Sequence, residues 1–135
     1  MFEELAKAIN RALAEPAPEV QTVIRACDAL AGMLTKEVHI PLLMRLGMSG
    51  EKAAWEIEQA RRMMRAASLE ARILSEFGPG GLCAAREIQT ATGHVREEWR
   101  PLGVLLHVSA GNVDALPVYS VIEGLLTGNV NLLKL

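Results

Sequence analysis

Five side chains in this chain have types that invite chemistry, and their surroundings argue against most of it. Cys27 and Cys83 match no metal-ligand spacing. Cys27 also falls within a helical stripe of Val20, Ile24, Ala31 and Leu34, so it reads as a small buried hydrophobe rather than a reactive thiol. His39 has no Cys, His or acidic partner at ligand spacing and reads as a surface or packing residue. His107 sits inside the apolar run Val104-Leu105-Leu106-His107-Val108 with no Asp or Glu arranged beside it. It reads as a packing or hydrogen-bonding residue. Glu123 is isolated in an apolar helix and must reach a partner or an interface to avoid a large burial cost. The run Gly78-Pro79-Gly80-Gly81 is no phosphate loop, because neither a Gly-Lys-Ser/Thr element nor a G-x-G-x-x-G after a strand accompanies it. The positions that remain are Ser109-Ala110-Gly111-Asn112, a tight exit from the run at 104–108, and Lys134, at the end of a second β-rich run.

The elements that would hold these positions follow from hydrophobic periodicity. Phe2, Leu5, Ile9 and Leu13 share one face of a first helix, which Pro16 and Pro18 end. A second helix spans Glu19 to Leu34. A short third one begins at Pro41, runs through Leu42, Leu43 and Leu46, and stops near Gly47. Ser49 is an N-cap followed by Glu51, an acid that suits the first turn. From there Ala53, Ile57, Ala60, Met64, Ala67, Ala71 and Leu74 recur at helical spacing, with Met63 and Met64 read as core filling. Either one helix reaches Phe77, or Ser68 caps a second one. Leu82 to Gln89 reads as one short helix, and Thr90 to Arg100 as extended or irregular chain.

At Leu102 the character changes. Val104 to Val108 has the composition of a parallel strand covered on both faces. A largely apolar helix follows from Ala115 to Thr127, with Pro117 in its first turn and Gly128 closing it; Val130 to Lys134 is then a second strand. The fold class is therefore α/β: N-terminal helices over residues 1–98, followed by a single βαβ unit over 99–135.

Composition closes off several function classes. Among 135 residues, 14 basic and 16 acidic side chains are scattered without a positive stripe, which argues against a nucleic-acid partner. The longest nearly apolar run, Ala115 to Leu126, contains Glu123 and falls short of the roughly 20 residues needed to span a bilayer. With no signal-peptide pattern at Met1-Phe2-Glu3-Glu4, the expectation is a reduced, cytoplasmic protein.

The stretch Arg100-Pro101-Leu102-Gly103-Val104-Leu105-Leu106-His107-Val108-Ser109-Ala110-Gly111-Asn112-Val113, continued by Glu123 to Lys134, resembles the aldehyde dehydrogenase superfamily. It is most similar to the long-chain acyl-CoA reductase branch, of which the luciferase-associated fatty-acid reductases are members. The resemblance covers about a quarter of the chain. It rests on the Pro-x-Gly-Val opening, the two Gly-Asn pairs and the final lysine, in order.

The resemblance implies that the 99–135 unit is an incomplete piece of a Rossmann-type domain. It gives Asn112 the role of donating its amide to the oxyanion formed when a catalytic cysteine attacks an acyl carbon. An amide at the carboxyl end of a strand suits that role, and capping the following helix is the alternative. Ser109, Ala110 and Gly111 would form the narrow cofactor-side loop, and Lys134 would meet the adenosine ribose of NADP or NAD; a solvated charge is the plainer reading of Lys134. No metal is implied. Neither Cys27 nor Cys83 maps onto the nucleophile, so the expectation is an N-terminal fragment of an NAD(P)-dependent enzyme acting on acyl-CoA or aldehyde, itself inactive and binding no cofactor. The rival expectation is a non-enzymatic short protein that self-associates or binds a partner through its exposed apolar sheet region.

Overall fold

The structure is a computed structural model that describes residues 2–83, 85–108 and 116–134. Helix α1 (Phe2–Ala14) carries the expected stripe, but none of its residues is buried. Helix α2 (Val20–Met33) is the centre of the molecule, burying Val23, Ile24, Cys27 and Ala31. Helix α3 (Lys36–Arg45) starts a turn before Pro41 and contains it. The expected start at Pro41 is therefore wrong. Thr35 adopts the extended backbone of a cap, and its carbonyl accepts from both the His39 N–H (3.1 Å) and the ring Nδ1 (2.9 Å). Pro41 removes one ladder donor from the Glu37 carbonyl, on an exposed turn where water can replace it.

Helices α4 (Gly50–Met64) and α5 (Ala66–Phe77) are separate, broken at Arg65 with ψ 141°. Ser49 Oγ accepts from the Lys52 N–H at 3.2 Å, as a capping serine should. The second start lies at Ala66 and not at Ser68, whose hydroxyl instead donates back to the Arg62 carbonyl at 2.7 Å. No local side chain caps α5. Asp28 of α2 does so from a distance, its Oδ1 accepting from the Ala66 N–H at 3.0 Å and lying 3.4 Å from Arg65 Nη1. A carboxylate at a helix N-terminus also complements the helix dipole.

After a 3₁₀ turn (Gly81–Cys83) come β1 (Arg86–Thr90) and β2 (Gly93–Glu97), an antiparallel hairpin. This overturns the short helix expected up to Gln89, makes a paired strand of part of the chain expected to be extended or irregular from Thr90 to Arg100, and adds a second sheet to the single βαβ unit. The physical reason is cross-strand pairing that composition conceals. Ile88 faces Val95, while Arg86 faces Glu97 and Glu87 faces Arg96 with opposite charges. With only one apolar residue per strand, the period of two is easy to miss.

Strand β3 (Val104–Val108), helix α6 (Leu116–Leu126) and strand β4 (Val130–Lys134) form the parallel unit, with Val104 opposite Val130 and Val108 opposite Lys134. Helix α6 lies on both strands and, on its other side, on α2. Its Ile122 and Leu126 join Val23, Ile24, Cys27, Ala31, Met64 and Leu69 in one buried cluster, so the helical layer and the sheet layer share a core.

Asparagines clamp the sheet to α6. Asn129 is buried; its Oδ1 accepts from the Gly103 N–H (3.0 Å), its Nδ2 donates to Thr127 Oγ1 (2.8 Å), and its own N–H reaches the Gly124 carbonyl (2.9 Å). The Val130 N–H returns to the Gly103 carbonyl at 2.8 Å, so β3 and β4 are tied at their amino ends. Asn131 Nδ2 donates to the Asn129 carbonyl at 2.8 Å, and its side chain fills the space where a Cβ on Gly124 would stand. Gly124 is thus a glycine inside a helix because the sheet comes too close for anything larger.

This contact can be tested by Gly124→Ala. Alanine favours a helix over glycine by about 1 kcal/mol. Overpacking and loss of the buried amide bonds should together cost roughly 2–4 kcal/mol. A net loss of about 2 kcal/mol in urea unfolding is expected; a neutral or stabilised variant would show that the approach is not tight.

Candidate functional site

The carboxyl ends of β3 and β4 are where an α/β sheet presents its ligand-binding edge. The register places Val108 opposite Lys134, so the segment that leaves β3 and the lysine that ends β4 start from the same edge. Lys134 is exposed there. Ser109, Ala110, Gly111 and Asn112, the remaining expected site residues, follow Val108 directly and lie outside the described residues.

What holds the edge in place is a polar chain between sheet and helix. His107 points from β3 toward α6; its Nδ1 lies 2.6 Å from Ser120 Oγ and its Nε2 lies 2.8 Å from Asn131 Oδ1. Because the Asn131 Nδ2 donates to a carbonyl, its Oδ1 must accept from the ring, which assigns the proton to His107 Nε2. In the neutral ring, Nδ1 then accepts from the Ser120 hydroxyl. His107 is therefore the hydrogen-bonding residue that its sequence context indicated. The hydroxyl–imidazole–amide order echoes a nucleophile and its base. Here, however, the serine lies between the helix and the sheet and joins two layers. Neither Ser120 nor Asn131 stood out in the sequence, although a polar residue in the apolar run Val130 to Leu133 was a usable signal.

Glu123 finds its partner in Arg72 of α5, with Oε1 2.5 Å from Nη2. Both side chains are half exposed, so this is a surface pair that stabilises little and avoids the burial cost altogether. Cys27 is buried in the core, and burial pushes its thiol pKa up, the opposite of what activates a cysteine nucleophile. Cys83 closes the 3₁₀ turn ahead of the hairpin. Among the described residues, no group of three His, Cys, Asp or Glu side chains is placed to hold a metal ion, and no helix is long and apolar enough to cross a membrane.

A cavity of about 780 Å³ opens at the other end of the sheet, lined by Phe77, Trp99, Pro101, Leu102, Leu105 and Leu126. Phe77 and Trp99 meet edge to face with ring centres 4.9 Å apart and form one wall. Its lining includes the residues that precede β3 and β4, so it lies at the amino ends of the strands, away from the edge that carries Lys134.

No curated protein and no solved structure matches this chain. A protein-family model described as acyl-CoA reductase (LuxC) does match, over residues 16–135, which takes in all of α2 to α5, the hairpin and the parallel unit. With that match extending over nearly the whole sequence, the chain belongs to the acyl-CoA reductase (LuxC) family.

Proposed function

We propose that this chain supplies the N-terminal helices and the first cofactor-sheet strands of an NAD(P)-dependent acyl-CoA reductase working in the cytoplasm. The observation that carries the reading is the register of the parallel strands. Val108 pairs with Lys134 at the carboxyl edge, which supports a site formed there by Lys134 and the residues that follow Val108 in sequence. An exposed ammonium at that edge fits a ribose hydroxyl or phosphate of NADP or NAD, and the small residues Ser109, Ala110 and Gly111 would let a flat cofactor approach the backbone. The cofactor would supply the hydride that reduces the acyl thioester to an aldehyde.

The residues of this chain would do the rest of the binding and orientation at that edge. Asn112 would donate its amide to the oxygen that turns anionic when a cysteine sulfur adds to the acyl carbon and that becomes a carbonyl again as the coenzyme A thiolate leaves. His107, held by Ser120 and Asn131, would keep the carboxyl end of β3 at a fixed distance from α6, and with it the position from which Asn112 is presented. The nucleophile belongs to neither cysteine here: Cys27 is buried beneath α6, and Cys83 precedes the sheet.

A second reading, a non-enzymatic module that self-associates, draws on the outer face of β3, which is exposed among the described residues. Val104, Leu106 and Val108 alternate with the residues that face α6 and are 38%, 67% and 69% exposed. Strands of this composition are ordinarily covered on both faces. The two readings are compatible if the same face is covered by more of the enzyme.

Variant kinetics test the enzymatic reading. In an enzyme that joins this chain to a cysteine-bearing catalytic domain, Asn112→Ala should lower kcat about 100-fold with little change in acyl-CoA KM. Lys134→Ala in the same protein should raise the KM for the nicotinamide cofactor. Steady-state rates unchanged by Asn112→Ala would remove that residue from the chemistry.

The 135-residue chain by itself should show no acyl-CoA-dependent NAD(P)H oxidation, and Cys27 should resist iodoacetamide until the protein is unfolded. Its raised thiol pKa has a definite sign. The stabilising contribution is complete below the ordinary thiol pKa and declines as the pH rises through the folded value. Rapid alkylation of Cys27 in the folded protein would contradict the buried assignment.

Sedimentation equilibrium over a wide concentration range examines the exposed face of β3. Association that Leu106→Glu abolishes is the expected result, and a monomer at every concentration would discard self-association.

A further inference from the structure

Helix α1 is the one α-helix whose packing the fold leaves unexplained. Each residue turns a helix by about 100°, which gathers Phe2, Leu5, Ile9 and Leu13 on one half of α1 with alanines beside them. Glu3, Glu4, Lys7, Asn10 and Arg11 take the other half. Such a division normally marks a helix packed on a core, yet Phe2 is 80% exposed, Leu5 43% and Leu13 49%, and no residue of α1 is buried. Its main neighbour is β4. The family match begins at residue 16, in the exposed link 15–19 where Pro16 and Pro18 favour extended chain. The stripe therefore lies outside the part that the chain shares with its family.

Area and charge decide what covers it. Thirteen residues make a helix about 20 Å long, and a stripe about 10 Å wide offers roughly 200 Å². A stable interface takes about 800 Å² from each partner, so α1 by itself holds neither a second copy nor another folded protein. A lipid surface sets no such minimum, because each apolar side chain lowered among acyl chains contributes separately. The polar half carries two acids and two bases, so α1 has no net charge, and Lys7 Nζ already lies 2.9 Å from Glu3 Oε1. Anionic headgroups therefore gain nothing over zwitterionic ones.

We propose that α1 docks the protein on the surface of a lipid bilayer with zwitterionic headgroups, lying in the interface with Phe2, Leu5, Ile9 and Leu13 toward the acyl chains and Lys7 and Arg11 toward water. The helix lies on the membrane and does not cross it. Neither Asn112 nor Lys134 takes part, so the docking stands or falls independently of the reductase reading. Apolar burial supplies the affinity, and the binding is insensitive to salt.

Flotation of the purified 135-residue chain with phosphatidylcholine vesicles tests this. The chain should rise with the vesicles, and replacing about a third of the lipid by phosphatidylserine should change its partition by less than about two-fold. Leu5→Glu should weaken partition about ten-fold. Arg11→Gln, which changes the charge by the same unit on the polar half, should stay within about two-fold of the unaltered chain. Leu106→Glu, on the outer face of β3, should leave flotation unchanged, which separates α1 from the sheet. If Leu5→Glu loses helical circular dichroism, Phe2→Ala decides, because alanine favours the helix while removing the largest apolar group; it should weaken partition about three-fold to five-fold. The proposal is overturned if the chain does not float, if phosphatidylserine is required, or if Leu106→Glu releases it. It is equally overturned if Phe2→Ala floats like the unaltered chain, or if Leu5→Glu dissociates an oligomer in the absence of lipid, which would make a second copy the occupant.

Discussion

The close approach of α6 to β4 at Gly124 is the constraint on which the rest of this architecture depends. A helix normally stands off a sheet by the length of two side chains. Here one of the two is absent, and the amide of Asn131 occupies the space. That amide is bonded on both sides, to the Asn129 carbonyl and to the ring of His107, so it acts as a rigid spacer of fixed length. Asn129 then ties the start of β4 to the residue that precedes β3. Polar groups held away from water stabilise only when satisfied, and here the buried Asn129 and the half-buried His107, Ser120 and Asn131 bond to one another and to nearby backbone. Hydrogen-bonding geometry therefore sets where the strands sit relative to α6, in a unit whose apolar residues could slide past one another at little cost.

The helical layer is joined to this unit by apolar contact. Ile122 and Leu126 on the far side of α6 enter the cluster built around Ile24 and Met64. The break between α4 and α5 also serves the junction. By ending one helix at Met64 and starting another at Ala66, it lets Met64 and Leu69 both turn toward α2, with Asp28 closing the exposed end of α5. A continuous helix would carry its stripe along a straight line and could not follow the curve of the core.

The two ends of the parallel sheet differ in chemical character. At the amino ends, the aromatic pair of Phe77 and Trp99 borders a large apolar cavity; at the carboxyl ends, the exposed Lys134 stands opposite Val108 on one edge. Membership of the acyl-CoA reductase family makes the second end the natural place to look for acyl and cofactor chemistry. The first end belongs to the packing of helices and sheet, where Gly128, in a left-handed conformation at φ 75°, turns the chain against Pro101 and Ala17.

Much of this was written in the sequence. Helical periodicity located α1, α2 and α4 because each has an apolar stripe, and the β-rich runs located β3 and β4 because strands beneath a helix need continuous apolar character. The motif residues from Arg100 to Lys134 pointed to the family. The hairpin of β1 and β2 escaped because Ile88 and Val95 are its only apolar pair, and its stability lies in pairing across strands that a linear reading does not see. The same holds for Asp28 capping α5, Arg72 meeting Glu123, and His107 reaching Ser120 and Asn131. Residue type and local period are properties of short segments, so the sequence alone located the helices with a clear apolar stripe and the two parallel strands. Partners separated by tens of residues are chosen by the packing that brings segments together, and only the tertiary structure decided those.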